Sequence, residues 1–156
     1  DVEASNLYVA VQKYQTTLGR NSGTPIVSDT DAQAFVTAAG LTSSTQASAI
    51  NTLVTSLKSA GIWTKMKAIY PMVGGSAASH KFNLKDPRDF NTSFRLYFYG
   101  GMNHDSRGIV PNGSTSYAST FIDPSTLAVN SGFGFYSVSN NYGSNSIDIG
   151  AREWNH

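Results

Sequence analysis

The chain has 156 residues, of which 40% are hydrophobic and only 13% charged, with no cysteine and a net charge of +1. That length suits one medium domain, or a small domain with an appended helical piece, and the charged share is about half the usual one. Without clustered Lys and Arg to neutralise phosphates a nucleic-acid partner is disfavoured, and without cysteine there is no disulfide scaffold, thiolate zinc site or cysteine nucleophile. Apolar runs are too short for a membrane span. The opening residues DVEASNLY lack the basic and apolar regions of a signal peptide. Export with a larger assembly, or a start that is not the native one, would each account for that. The Ser-, Thr-, Asn- and Gly-rich remainder suits a virion or extracellular β-protein.

Residues 1–20 read as a helix that closes a preceding unit, with Leu7, Val11, Tyr14 and Leu18 as its stripe and Gly19 as its stop. Residues 21–28 are a linker containing Gly and Pro. Residues 29–61 form a helical segment of two helices. In the first, Thr30 and Gln33 are placed for a capping box, Phe35 and Ala38–Ala39 make the buried face, and Gly40 ends it. In the second, Ser43 and Gln46 form the start signal, and Ile50, Leu53, Val54 and Leu57 fall three and four residues apart. Gly61 is its left-handed end, with Ile62 folding back onto the last turn.

Residues 62–156 have the texture of an antiparallel β-sandwich. Trp63, Met66, Ile69 and Tyr70 carry the apolar surface into an extended run that ends at Gly74–Gly75. Then come FRLYFYGG, SYASTFI, GFGFYSVS and NSIDIGA, separated by NHDSRGIVPNG, IDPST and NNYG, which read as turns. Phe94, Leu96 and Phe98 alternate with Arg95, Tyr97 and Tyr99, as in a strand with one face on a core. Phe133 and Phe135 repeat the pattern. The expected class is α+β: N-terminal helices followed by a concanavalin-like or jelly-roll sandwich. About five strands are few for a closed sandwich, so the sheet is expected to be incomplete in this chain and covered by something else.

The run GIWTKMKAIYPMVGGSAASHKFNLKDPRDFNTSFRLYFYGG, residues 61–101, resembles a pattern in tailed-phage and prophage structural proteins. There the words IW-x-KMKA-x-YP-x-VGG and HK-x-NLKDPRD precede a concanavalin-A-like, LamG-like sandwich. The likeness continues more weakly to Ser137, over about two thirds of the chain. The first segment is similar to the closing helix of domains in the same group, which implies a tandem order of units. That group often carries Trp-Thr-His after the Gly-Gly pair, whereas this chain has Met102-Asn103-His104. The resemblance implies a virion structural or tail-fibre-like protein and supplies no reaction.

Residues that would carry chemistry are sparse. Family-16-type glucanases resemble the expected architecture and place two glutamates on one strand, as retention requires. In Ser146-Ile147-Asp148-Ile149-Gly150 both of those positions are non-ionisable, so no catalytic residue is assigned. His80, His104 and His156 lie far apart in sequence, and no metal ligand set or cofactor is assigned. His104 with Asp105 is enough to begin a metal site, but a turn in which Asn103 and Asp105 bond their own backbone explains the same residues. Asn103, His104 and Asp105 on an exposed loop, with Tyr142, are the candidate ligand-binding residues, suited to sugar hydroxyls. Tyr97, Tyr99, Tyr117 and Tyr136 are candidates to stack on sugar rings or to cover sheet faces. Lys81, Lys85, Asp86, Arg88 and Asp89 around Pro87 read as a solvated turn with local ion pairs. The expected function is a non-enzymatic virion or appendage structural protein that packs with itself or other virion proteins and contacts surface glycans. A secreted carbohydrate-binding module is the alternative, and a degenerate family-16-like glycanase the third.

Overall fold

The computed structural model describes residues 23–138 and Gly150. These residues hold three helices and two antiparallel two-stranded sheets, an α+β arrangement. The helix expected over residues 1–20, the turn expected at residues 140–143 and, apart from Gly150, the strand expected over residues 145–151 lie outside them.

Helix α1 spans Thr30–Ala38 and α2 spans Ser44–Ser59. The start of α1 is set by Asp29 and not by Thr30. The Asp29 carboxylate accepts from the N–H groups of Asp31 and Ala32 and binds the Lys58 ammonium at 2.7 Å. Gln33 therefore turns outward from the cap, accepting from Val27 N–H at 2.8 Å. Ser43 caps α2 through Gln46 N–H. Both helices stop in the same way. Leu41 N–H bonds Val36 O and Gly40 N–H bonds Thr37 O, while Ile62 N–H bonds Leu57 O and Gly61 N–H bonds Lys58 O. This is the pair of reversed bonds of a Schellman end. Ala32, Phe35 and Val36 of α1 pack with Ala47, Ile50 and Val54 of α2, joined by Leu41, Trp63, Phe82 and Leu84. The α2 stripe differs from expectation in one residue: Leu53 lies on its flank, 37% exposed, and Ala47 takes the inward place.

Residues 66–75 form no strand. Trp63–Lys65 is one turn of 3-10 helix, and Pro71 then lacks an N–H while Met72 adopts φ 54°, both of which interrupt a ladder. The segment is held by single bonds instead. Ile69 N–H donates to Asn83 Oδ1 at 3.0 Å, Leu84 N–H donates to Ile69 O at 2.8 Å, and the Tyr70 hydroxyl donates to Phe94 O. Burial pushes the Tyr70 phenol well above its ordinary range. Helix α3, Ala77–His80, follows with a Ser76–Ser79 capping box.

Strand β1 is Tyr97–Tyr99, β2 Asn103–Asp105, β3 Gly108–Val110 and β4 Tyr117–Ser119. β1 pairs with β4, Tyr99 opposite Tyr117, and between them β2 and β3 form a hairpin with His104 opposite Ile109. Residues 103–113, expected as a turn, thus contain a hairpin. It lacks apolar alternation, and its register is set by the turn, where Asp105 Oδ1 accepts from Arg107 N–H at 2.7 Å. The strand expected from Phe94 begins later, because Phe94 sits at φ 57° closing a 3-10 turn over Asn91–Ser93. Leu96 and Phe98 still face inward and Tyr97 and Tyr99 outward. Asn112 ties the neck of the hairpin: its Oδ1 accepts from the N–H groups of Ser114, Thr115 and Ser116, and its Nδ2 donates to Gly100 O. Phe133 and Phe135, expected in a strand, lie in chain without a ladder partner and are 66% and 55% exposed.

Candidate functional site

The residues that the fold concentrates lie where α3 meets the β2–β3 hairpin. Gly74 and Gly75, both at positive φ, turn the chain, Ser76 caps the start of α3, and the four-residue helix ends at His80. His80 is 1% exposed. Gly75, at φ 74°, seats its backbone against the hairpin: an added Cβ would stand 3.5 Å from Asp105 C and Ser106 N. Gly75 N–H donates to His80 Nε2 at 3.2 Å. His80 Nδ1 faces His104 Nδ1 at 3.0 Å, and the edge of Phe98 meets the His104 ring, centroids 4.6 Å apart.

These contacts fix the tautomers. An imidazole nitrogen that accepts from a backbone N–H carries no proton, so neutral His80 is protonated at Nδ1 and donates to His104 Nδ1. Neutral His104 then carries its proton on Nε2. Burial lowers the pKa of both rings, and the neighbouring His104 lowers His80 further while Asp105 opposes it. Both are neutral at pH 7. The same logic disfavours a metal between the Nδ1 atoms, since binding there would move the His80 proton to Nε2, against Gly75 N–H. Among the described residues no group of three or more His, Cys, Asp or Glu is arranged to hold a metal ion.

The expected ligand-binding trio is divided. His104 turns to His80, Asn103 is exposed, and Asp105 is committed to Arg107, whose guanidinium reaches its carboxylate at 2.7 Å. Tyr142 and His156 lie outside the described residues. His80 carried no sequence signal of its role, because its partner lies 24 residues away on another element.

A second feature occupies the other face of β1. Tyr97 and Tyr99 are 4.7 Å apart, Tyr99 stacks on Tyr117 at 4.5 Å and 12°, and Phe121 meets Tyr97 edge-on. All four rings are exposed, from 37% to 58%. The Arg95 guanidinium stands 5.7 Å from the Tyr97 ring. Tyr136 is 88% exposed and joins none of these rings.

The charged bend forms the expected local pairs, Lys81 with Asp89 and Arg88 with Asp86, and Arg95 joins Asp89 from outside it. Lys85 departs from it. Its Nζ donates to Trp63 O at 2.9 Å and lies 3.7 Å from the Trp63 ring centroid, a cation–π contact. Burial pulls its pKa below the usual range.

Among the described residues no helix is long and apolar enough to cross a membrane. The chain matches no protein-family model, no curated protein and no solved structure.

Proposed function

We propose that the protein is a non-enzymatic structural component of a tailed-phage-type virion or related appendage, and that its β portion is finished by association with copies of itself or other virion proteins. One observation carries this reading. The chain from Val129 to Val138 presents Val129, Phe133, Phe135, Tyr136 and Val138 to solvent, none less than 55% exposed, and the outer edges of the two ribbons have no strand partner among the described residues. Two-stranded ribbons are marginal in water, and open edges and exposed apolar chain recruit further strands. In this reading the ribbons are one chain's share of a concanavalin-like sandwich closed in the assembly, in a virion or extracellular setting. The resemblance of residues 61–101 to phage structural proteins points the same way.

Sedimentation velocity of the full chain across a concentration series tests this. Self-association is expected, and Phe133→Ser with Phe135→Ser is expected to weaken it. Strict monomers throughout, also after mixing with the other proteins of the same virion, would sink the reading.

The aromatic face favours a second reading, a secreted carbohydrate-binding module, because exposed rings beside hydroxyl and amide groups suit sugar rings. A glycan array that includes bacterial surface polysaccharides, read with the parent and with Tyr99→Ala, tests it. No binder on the array would count against it.

A further inference from the structure

We propose that His80 and His104 are a proton-operated latch, holding the β2–β3 hairpin on the helical core when both rings are neutral and releasing it when either is protonated. The contacts form a chain with one direction: Gly75 N–H to His80 Nε2, then His80 Nδ1–H to His104 Nδ1. Each ring must offer one bare nitrogen. A proton added at His80 Nε2 sets two donors face to face against Gly75, and a proton added at His104 Nδ1 does the same against His80. Neither state can be relieved in place, because His80 is buried and the turn backbone of the hairpin rests on Gly75.

The surroundings do not welcome a cation. Helix α3 presents the hydroxyls of Ser76 and Ser79, which bond one another, and β1 presents Phe98. Met72 to Gly75 bring no charge, and Lys81 reaches away to Asp89. Among the described residues Asp105 is the one carboxylate that acts on the pair, and it is itself paired with Arg107. The seat of the hairpin is small: besides the histidines and Phe98 it includes Gly75 and Met72, where a Cβ on Gly108 would stand 3.9 Å from Met72 Cβ. Loss of the imidazole contacts therefore removes much of what holds it, while the apolar core lies elsewhere.

Ring 15N NMR and amide hydrogen exchange of the full chain test the latch between pH 7.5 and 5.0. At pH 7.5, His80 is expected as the Nδ1–H tautomer and His104 as Nε2–H. On acidification, protection of Gly75 and residues 103–110 should be lost beyond the intrinsic change in exchange. The α2 amides should keep theirs. In His104→Gln and in His80→Gln the acid loss should shrink, because each leaves one titrating ring, and in the double variant it should vanish. If His80→Gln does not fold, the wild-type tautomers and protection ratios decide alone. An Nε2–H His80 at pH 7.5, equal hairpin protection at both pH values, or one equivalent of zinc alone binding the folded protein through both Nδ1 atoms would overturn the proposal.

Discussion

Asn83 is the side chain whose removal the structure makes most costly for its size. It is 1% exposed. Its Oδ1 accepts from Ile69 N–H and Lys85 N–H, both at 3.0 Å, and its Nδ2 donates to Ser93 O at 3.0 Å. One amide thus joins three separate stretches of irregular chain that have no ladder to bind them. Asn83→Leu keeps the volume and leaves two N–H groups and one carbonyl without their partner. An orphaned buried polar group costs about 1–3 kcal/mol. The Ser93 O bond is buried and the two N–H bonds are part-buried, so with both N–H groups counted lightly the expected loss is roughly 2–5 kcal/mol, a large part of the roughly 5–15 kcal/mol typical of a domain. Urea unfolding at pH 7.5, followed by tryptophan fluorescence, measures the loss, and exchange at the Ile69 amide locates it. A loss below about 1 kcal/mol would show that water or a local shift satisfies these groups, and the reasoning would fail.

Gly100→Ala should disrupt the ribbon more than the core: an added Cβ would stand 2.2 Å from Thr115 O, so exchange of β1 and β4 amides should rise while α2 stays protected. Asp29→Ala should lower stability by about 1 kcal/mol through the lost cap, whereas Asp29→Asn, which keeps an acceptor at the cap and loses the charge opposite Lys58, should cost less; urea midpoints compare the two. Acid should act in two stages. The two histidines titrate lower when folded, so their contribution is complete above the ordinary value of 6.5 and is lost as pH falls through the depressed native values. Lys58 holds Asp29, Arg88 holds Asp86 and Lys81 holds Asp89 below the ordinary carboxylate value of 3.8, so their contribution is present above that value and is lost below it. A stability profile with no step until pH 4 would contradict the histidine assignment.

The helical half was legible because its signals are local. A 3–4 spacing of apolar residues and a Gly after each stripe placed α1, α2 and both of their ends. The start of α1 was misassigned by one residue, since Asp29 owes its role partly to Lys58, 29 positions away. The β half was legible at two of the expected runs, FRLYFYGG and SYASTFI, which contain β1 and β4. Residues 103–110 were hidden as turn chemistry, because a hairpin ordered by an Asp105 turn needs no apolar rhythm. Residues 66–73 looked like a strand from composition, but Pro71 and the left-handed Met72 make the chain depend on Asn83. The histidine pair was illegible for the same reason: both rings are positioned by reversals at Gly74–Gly75 and at the Asn112 neck, and spacing in sequence does not encode those reversals.

The distribution of the apolar core has a consequence for how the chain divides. Among the described residues all of its members lie between Ala32 and Leu84, and Leu96, whose N–H bonds Lys81 O at 2.7 Å, is the last buried aliphatic side chain. A fragment that stops just after Leu96 keeps that core, the Asn83 bonds and the Trp63–Lys85 contact. The ribbons beyond add no residue to that core, and the hairpin meets the helical part at His80 and Gly75. Their loops and aromatic residues can therefore be exchanged, lengthened or recruited to new surfaces without repacking the part that folds.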